Sequence, residues 1–171
     1  MAHFLPERER CPFCGAKGEC RIFAHYERSV IEIIGGKVFY RQLRITRVIC
    51  SCGHTHAILP DFLVPYDQYS LPFILQVLHL YLLRQMTVSR ICEIYAISHS
   101  MLYRWLSVFQ THKRWYLGAL ISSETTDVKF MEGLLDTEPL SSFLGEFLQR
   151  TLFSFLQTHA NPANCAHRPP G

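Results

Sequence analysis

Two pairs of cysteines flank a basic hairpin in the first third of the chain, Cys11-Pro-Phe-Cys14-Gly15 and Cys50-Ser-Cys52-Gly53. A Cys-x-x-Cys-Gly followed by a second close pair is the spacing of two thiolate knuckles that meet around one metal ion. With strands between them to bring the knuckles together, this is the layout of a zinc ribbon. So small a β unit has too little apolar area to hold itself together. Structural zinc contributes roughly 10–16 kcal/mol in finger peptides, enough to make up the deficit. The second pair is tighter than the usual knuckle, because only Ser51 separates its sulfurs. Cys20, His25, His54 and His56 stand close in sequence and are candidates to replace a sulfur that does not reach. Cysteines packed merely as small hydrophobes fit poorly with pairs set beside Pro and Gly. A thioredoxin-like redox pair fits worse, since Cys11-x-x-Cys14 does not follow a βαβ pattern.

The rest of the composition narrows the class. A chain of 171 residues, 49% of them hydrophobic, has room for one or two small ordered domains. No run approaches the roughly 18 consecutive apolar residues that mark a membrane span. The start Met-Ala-His-Phe-Leu-Pro-Glu-Arg does not read as a signal peptide. Seven cysteines, an odd number in ligand spacing, suit a reducing compartment, so a cytoplasmic location is expected. The net charge of +3 is unevenly spread: residues 1–60 carry nine Lys/Arg against five Asp/Glu, residues 61–115 five against three, and residues 116–171 three against six. Any polyanion would therefore meet the front two-thirds.

Four segments follow from the patterning: a zinc ribbon with hairpin and Pro-bounded connector over 1–65, a helix-turn-helix domain over 66–116, a C-terminal helical segment over 117–160, and a mobile tail over 161–171. Cys20 to Tyr26 reads as a short strand. Val30 to Ile34, Gly35-Gly36 and Lys37 to Ile49 read as a hairpin, the Gly pair supplying the positive φ of a two-residue turn. Arg41 and Arg47 fall on one face of the second strand and Arg44 on the other, as phosphate contacts or as solvated edge charges. His54 to Pro65 reads as an extended connector. Ser70 then caps a greasy helix with Pro72 in its first turn, running to about Arg84. From Met86 to Leu106 the pattern is a helix-turn-helix. Thr87 caps the first helix, Val88, Ile91 and Cys92 face inward, Ala96 takes the turn position usually given to Gly, and Ile97 is buried. Ser98 caps the second helix, with Leu102, Trp105 and Leu106 inward. His99, Ser100, Met101, Tyr103 and Arg104 are left on or near the outer face, where a recognition helix meets base edges. Lys113 and Arg114 are candidate backbone contacts or helix-dipole partners. Leu140 to His159 is a strongly amphipathic helix that either folds back onto the helical core or forms a homodimer seam. Cys165 and His167 are remote metal candidates in the tail.

Cys-Pro-Phe-Cys-Gly, the run from Arg44 to Pro60, the helix-turn-helix ending Leu-Tyr-Arg-Trp and the closing His-Ala-Asn-Pro-Ala-Asn-Cys together resemble an uncharacterised bacterial family. It consists of short zinc-ribbon plus helix-turn-helix proteins classed under a domain of unknown function. The front half is also similar in layout to the DNA-binding regions of insertion-sequence transposases. The resemblance implies Cys11, Cys14, Cys50 and Cys52 as the ligands of one structural Zn2+ per chain. The expected fold is α+β: a small N-terminal zinc-ribbon β unit, then an all-α helix-turn-helix bundle with an amphipathic C-terminal helix.

The function these features suggest is a zinc-binding, sequence-specific, double-stranded DNA-binding protein linked to a mobile element, as an accessory subunit or small regulator. The alternative is a non-catalytic interaction or dimerisation module in which zinc is purely structural. No enzyme is expected, and neither a small-molecule substrate nor a membrane partner. The acidic residues after the helix-turn-helix (Glu124, Asp127, Glu132, Asp136, Glu138 and Glu146) lie in one short stretch of loop and helix. A two-metal nuclease needs its carboxylates on a mixed sheet. No phosphate-cradling Gly loop or Gly-x-Ser-x-Gly is present either.

Overall fold

The computed structural model describes residues 5, 8–117, 126–135, 139–151 and 153–157. Among the described residues the fold is α+β, a three-stranded antiparallel sheet in the order β1-β2-β3 followed by five helices. Strands β1 (Cys20–Ile34) and β2 (Lys37–Cys50) form one long hairpin, and β3 (Thr55–Ile58) pairs with the end of β2. At about 3.3 Å per residue such a hairpin extends some 45 Å if straight. Gly35 and Gly36 turn it at φ 57 and 75, the left-handed pair that a two-residue turn requires.

Register explains why the hairpin base is the place for a site. Cys20 lies opposite Cys50, so the segments before β1 and after β2 emerge side by side. Side-chain alternation gives the hairpin two faces. Val30 and Ile45 lie on one, covered by Leu63 and by Leu43, Ala57, Leu59 and Phe62. On the other, Cys20, Val48 and Cys50 pack against Cys11, with Phe13, Ala16 and Ile58 around them. That second cluster has a single fully buried aliphatic side chain, Val48.

The main core is helical. Helices α1 (Leu71–Leu82), α2 (Val88–Tyr95), α3 (His99–Leu117), α4 (Asp127–Leu135) and α5 (Pro139–Thr151) surround Phe73, Trp105, Phe109 and Phe147. Ser70 accepts the Phe73 N–H at the start of α1, and Thr87 accepts the Arg90 N–H at the start of α2, each removing an orphan donor. Ala96 closes α2 at φ 51, ψ 44, a left-handed C-terminal residue that lets α3 start after Ile97 and Ser98. The hairpin joins this core where Ile31 bonds Gln68 and Ser70 through its backbone, and where Ile33 and Val38 pack on the helices.

Four elements differ from the sequence expectation. The two strands expected before Gly35 are one, because polar Glu27, Arg28 and Ser29 stay paired with Arg44, Leu43 and Gln42, and Gln42 donates to Ser29 Oγ at 2.8 Å. Part of the expected connector is β3. The C-terminal helix stops at Thr151, whose Oγ1 donates to the Phe147 carbonyl and accepts the Phe153 N–H at 3.2 Å, an alternative to helix continuation. Phe155 and Leu156 still reach the core, through a turn with Leu156 at φ 63. The unforeseen α4 buries Phe130, Met131 and Leu134. The tail with Cys165 and His167 lies outside the described residues, as do Glu124, Asp136 and Glu138.

Candidate metal centre and the outer face of α3

Each cysteine pair sits on a tight turn closed by its own backbone. Gly15 N–H donates to the Cys11 carbonyl and Gly53 N–H to the Cys50 carbonyl, both at 2.9 Å. Gly15 and Gly53 adopt φ 75 and 86, where a side chain would be strained. The two turns face each other across the hairpin base. The sulfurs of Cys11, Cys14, Cys50 and Cys52 all lie within 4.8 Å of one another. Cys11–Cys52 and Cys14–Cys50 approach to 3.8 and 3.7 Å. A tetrahedron with metal–sulfur bonds of about 2.3 Å has edges of about 3.8 Å, so the spacing suits one four-coordinate ion.

The charge chemistry points the same way. A bond from the Cys52 backbone N–H is the main cause that lowers the Cys50 thiol from 9.0 to about 6. At Cys52 the His54 N–H favours the thiolate, but desolvation and the sulfurs of Cys14, Cys50 and Cys11 outweigh it and push the thiol up to about 12. Within the cluster the Cys50 thiol thus gives up its proton readily while the Cys52 thiol holds its own. A divalent cation among them removes that conflict.

Among the described residues this is the group of side chains arranged to hold an ion. Cys20 is buried beside it, its thiol raised to about 11, chiefly by desolvation, and it is not one of the four. His25 faces Thr46, with Nδ1 3.3 Å from Oγ1. His56 Nε2 meets Glu9 at 3.1 Å. His54 stacks on Phe13 with ring centroids 3.3 Å apart, and its Nδ1 lies 3.7 Å from the Cys52 sulfur. It supports the knuckle from outside.

On α3, His99, Ser100, Tyr103 and Arg104 are exposed and Met101 half-buried, while Leu102 and Trp105 are buried. Ser98 Oγ accepts the Met101 N–H at 3.1 Å, and Tyr81 meets the Tyr103 ring edge-on at 6.3 Å. The remaining candidate cations are placed differently. Lys113 bonds Asp127 at 2.7 Å and its side chain is only 12% exposed. Desolvation tends to raise the Asp127 carboxyl, but the Lys113 and Gln110 donors outweigh it and hold it below its ordinary value. Lys113 therefore serves an internal ion pair. Arg114 stays exposed beside Thr111. Arg41 pairs with Glu32 at 3.1 Å, Arg47 donates twice to Thr55 Oγ1, and Arg44 stands opposite Glu27.

A group that sequence reasoning missed lies behind α3. Asp67, in the connector, accepts the Trp105 indole N–H at 3.2 Å and the Tyr69 N–H at 3.1 Å, and its carboxylate lies 3.9 Å from Arg104 Nη2. Its only sequence signal is an acid between Pro65-Tyr66 and the cap of α1.

The family model that matches the chain is described as a domain of unknown function (DUF6431), and it covers residues 11–105. The chain belongs to that family. The match opens on Cys11 and closes on Trp105, enclosing both cysteine turns, Asp67 and the first turns of α3. Neither a curated protein nor a solved structure matches the chain.

Proposed function

We propose that this protein is a zinc-binding, sequence-specific, double-stranded DNA-binding protein. In this role α2 and α3 act as a helix-turn-helix, and the N-terminal half of α3 enters a major groove. The observation that carries the proposal is the outer face of α3. His99, Ser100, Tyr103 and Arg104 are exposed together, on a helix whose other side is fixed in the core by Leu102, Trp105 and Phe109. These are side chains that donate and accept hydrogen bonds at base edges, presented by a rigid element. Cys11, Cys14, Cys50 and Cys52 hold one structural Zn2+. The metal would brace a hairpin base whose cysteine face buries little besides Val48, and the exposed Arg44 and Arg114 are backbone contacts. A link to a mobile element is part of the same proposal and rests on similarity of layout to transposase DNA-binding regions.

Selection from a random duplex library tests this directly. The zinc-loaded protein is expected to enrich one motif, with affinity falling steeply as salt rises. Arg104→Ala should relax the preference at one position and keep general affinity. A library that emerges unenriched, with no duplex bound above background, would favour the interaction module instead.

A further inference from the structure

We infer that Asp67 is the positioning residue for Arg104, a buried carboxylate that holds the guanidinium in one orientation over the first turns of α3. The inference deepens the DNA-binding reading of α3 and rests on it. Arg104 is 53% exposed and the Asp67 side chain 7%, so one end of the pair is fixed in protein and the other faces solvent. A lone arginine on a helix surface samples many rotamers, and ordering it on binding removes much of what its contacts gain. One held by a carboxylate behind it keeps its outward donors as a pre-set fork, the geometry that bidentate contact with guanine needs.

Asp67 is itself fixed from several sides. Its two carboxylate oxygens accept the Tyr69 and Trp105 N–H groups. Its carbonyl, with that of Val64, accepts from the Arg28 guanidinium. The turn it ends, Val64-Pro65-Tyr66-Asp67, is closed by an Asp67 N–H to Val64 carbonyl bond of 3.2 Å. Tyr66 sits there at φ 64, a left-handed conformation that a non-Gly residue keeps only when its surroundings enforce it. Arg28 belongs to β1 and Trp105 to α3. The same clamp thus links the hairpin to the helix and leaves the Asp67 carboxylate no freedom to follow Arg104. Arg104 must come to it.

The test compares Asp67→Asn, Arg104→Ala and the double variant in the full zinc-loaded chain, using the selected duplex and a scrambled one, at a temperature where all variants are folded. Asp67→Asn is expected to lower the preference between the duplexes about tenfold, within what one bidentate base contact carries, and to leave affinity for the scrambled duplex nearly unchanged. In an Arg104→Ala background Asp67→Asn should change nothing further. In the free protein, guanidinium NMR should show restricted rotation of Arg104 that Asp67→Asn releases. The inference is overturned if Asp67→Asn keeps the preference, or if the Asp67→Asn and Arg104→Ala losses add. A wild-type chain without any preference would overturn the DNA reading and this role with it. The NMR comparison then still separates that failure from a carboxylate that never restrains Arg104.

Discussion

His112 lies on the inner side of α3, 3% exposed, with its ring centroid 4.8, 5.0 and 5.9 Å from those of Trp115, Phe147 and Phe155. Its Nδ1 accepts the Leu156 N–H at 3.0 Å, which ties the segment after α5 to α3 and requires the neutral imidazole. Burial pushes its pKa down from 6.5 to about 4. Between those values the unfolded chain binds a proton that the folded chain refuses, so stability must rise with pH across that window. The contribution is complete above pH 6.5 and lost as the pH falls toward 4. At about 1.36 kcal/mol per unit the upper bound is roughly 3 kcal/mol, a large share of the stability of a small domain. Urea unfolding followed by circular dichroism at pH 7.5, 6.5, 5.5 and 4.5, on the wild type and His112→Gln, isolates this group. Acid loss of metal and the other histidines act on both proteins alike. The wild-type curve should fall away from that of the variant below pH 6.5, by about 2 kcal/mol or more at pH 4.5. Parallel curves over the whole range would refute a buried neutral His112.

Other substitutions separate structural from functional positions. Lys113→Ala is expected to destabilise the folded chain by about 2 kcal/mol, the scale of a hydrogen bond to a charged partner, and to leave DNA preference as it was; a denaturation curve with a binding assay checks both. Ala96→Gly should stabilise by about 1 kcal/mol, since Ala96 is left-handed at φ 51 and Gly bears no Cβ penalty there; thermal melting reads it. Thr87→Ala should weaken α2 by about 1 kcal/mol through loss of its cap, visible in the same melts. Cys20→Ser should keep the metal and Cys14→Ser should lose tight binding, as a competing chelator titration would report.

What could be read from the sequence is what local chemistry decides. Ser70, Thr87, Ser98 and Ala96 fix their helix ends through partners within four residues, and the Gly35-Gly36 turn sets the hairpin register that brings both cysteine pairs together. The four sulfurs follow from that register even though the second pair is shortened. What could not be read depends on partners far along the chain. Asp67 meets Trp105 and Arg104 only because the connector folds under α3. Lys113 looks like a surface cation until α4 supplies Asp127. β3 forms because the second cysteine turn doubles the chain back along β2, and that distant pairing partner is what the extended, Pro-bounded segment does not reveal locally.

The metal content of the chain tests the central claim most directly. Native mass spectrometry of protein purified without chelator should find one divalent ion per chain, identified as zinc by elemental analysis. Cys11, Cys14, Cys50 and Cys52 should resist alkylation until a chelator removes it, and the hairpin should lose its structure at that point. A chain that is metal-free yet fully folded, or that keeps its ion after Cys14→Ser and Cys52→Ser together, would contradict the claim.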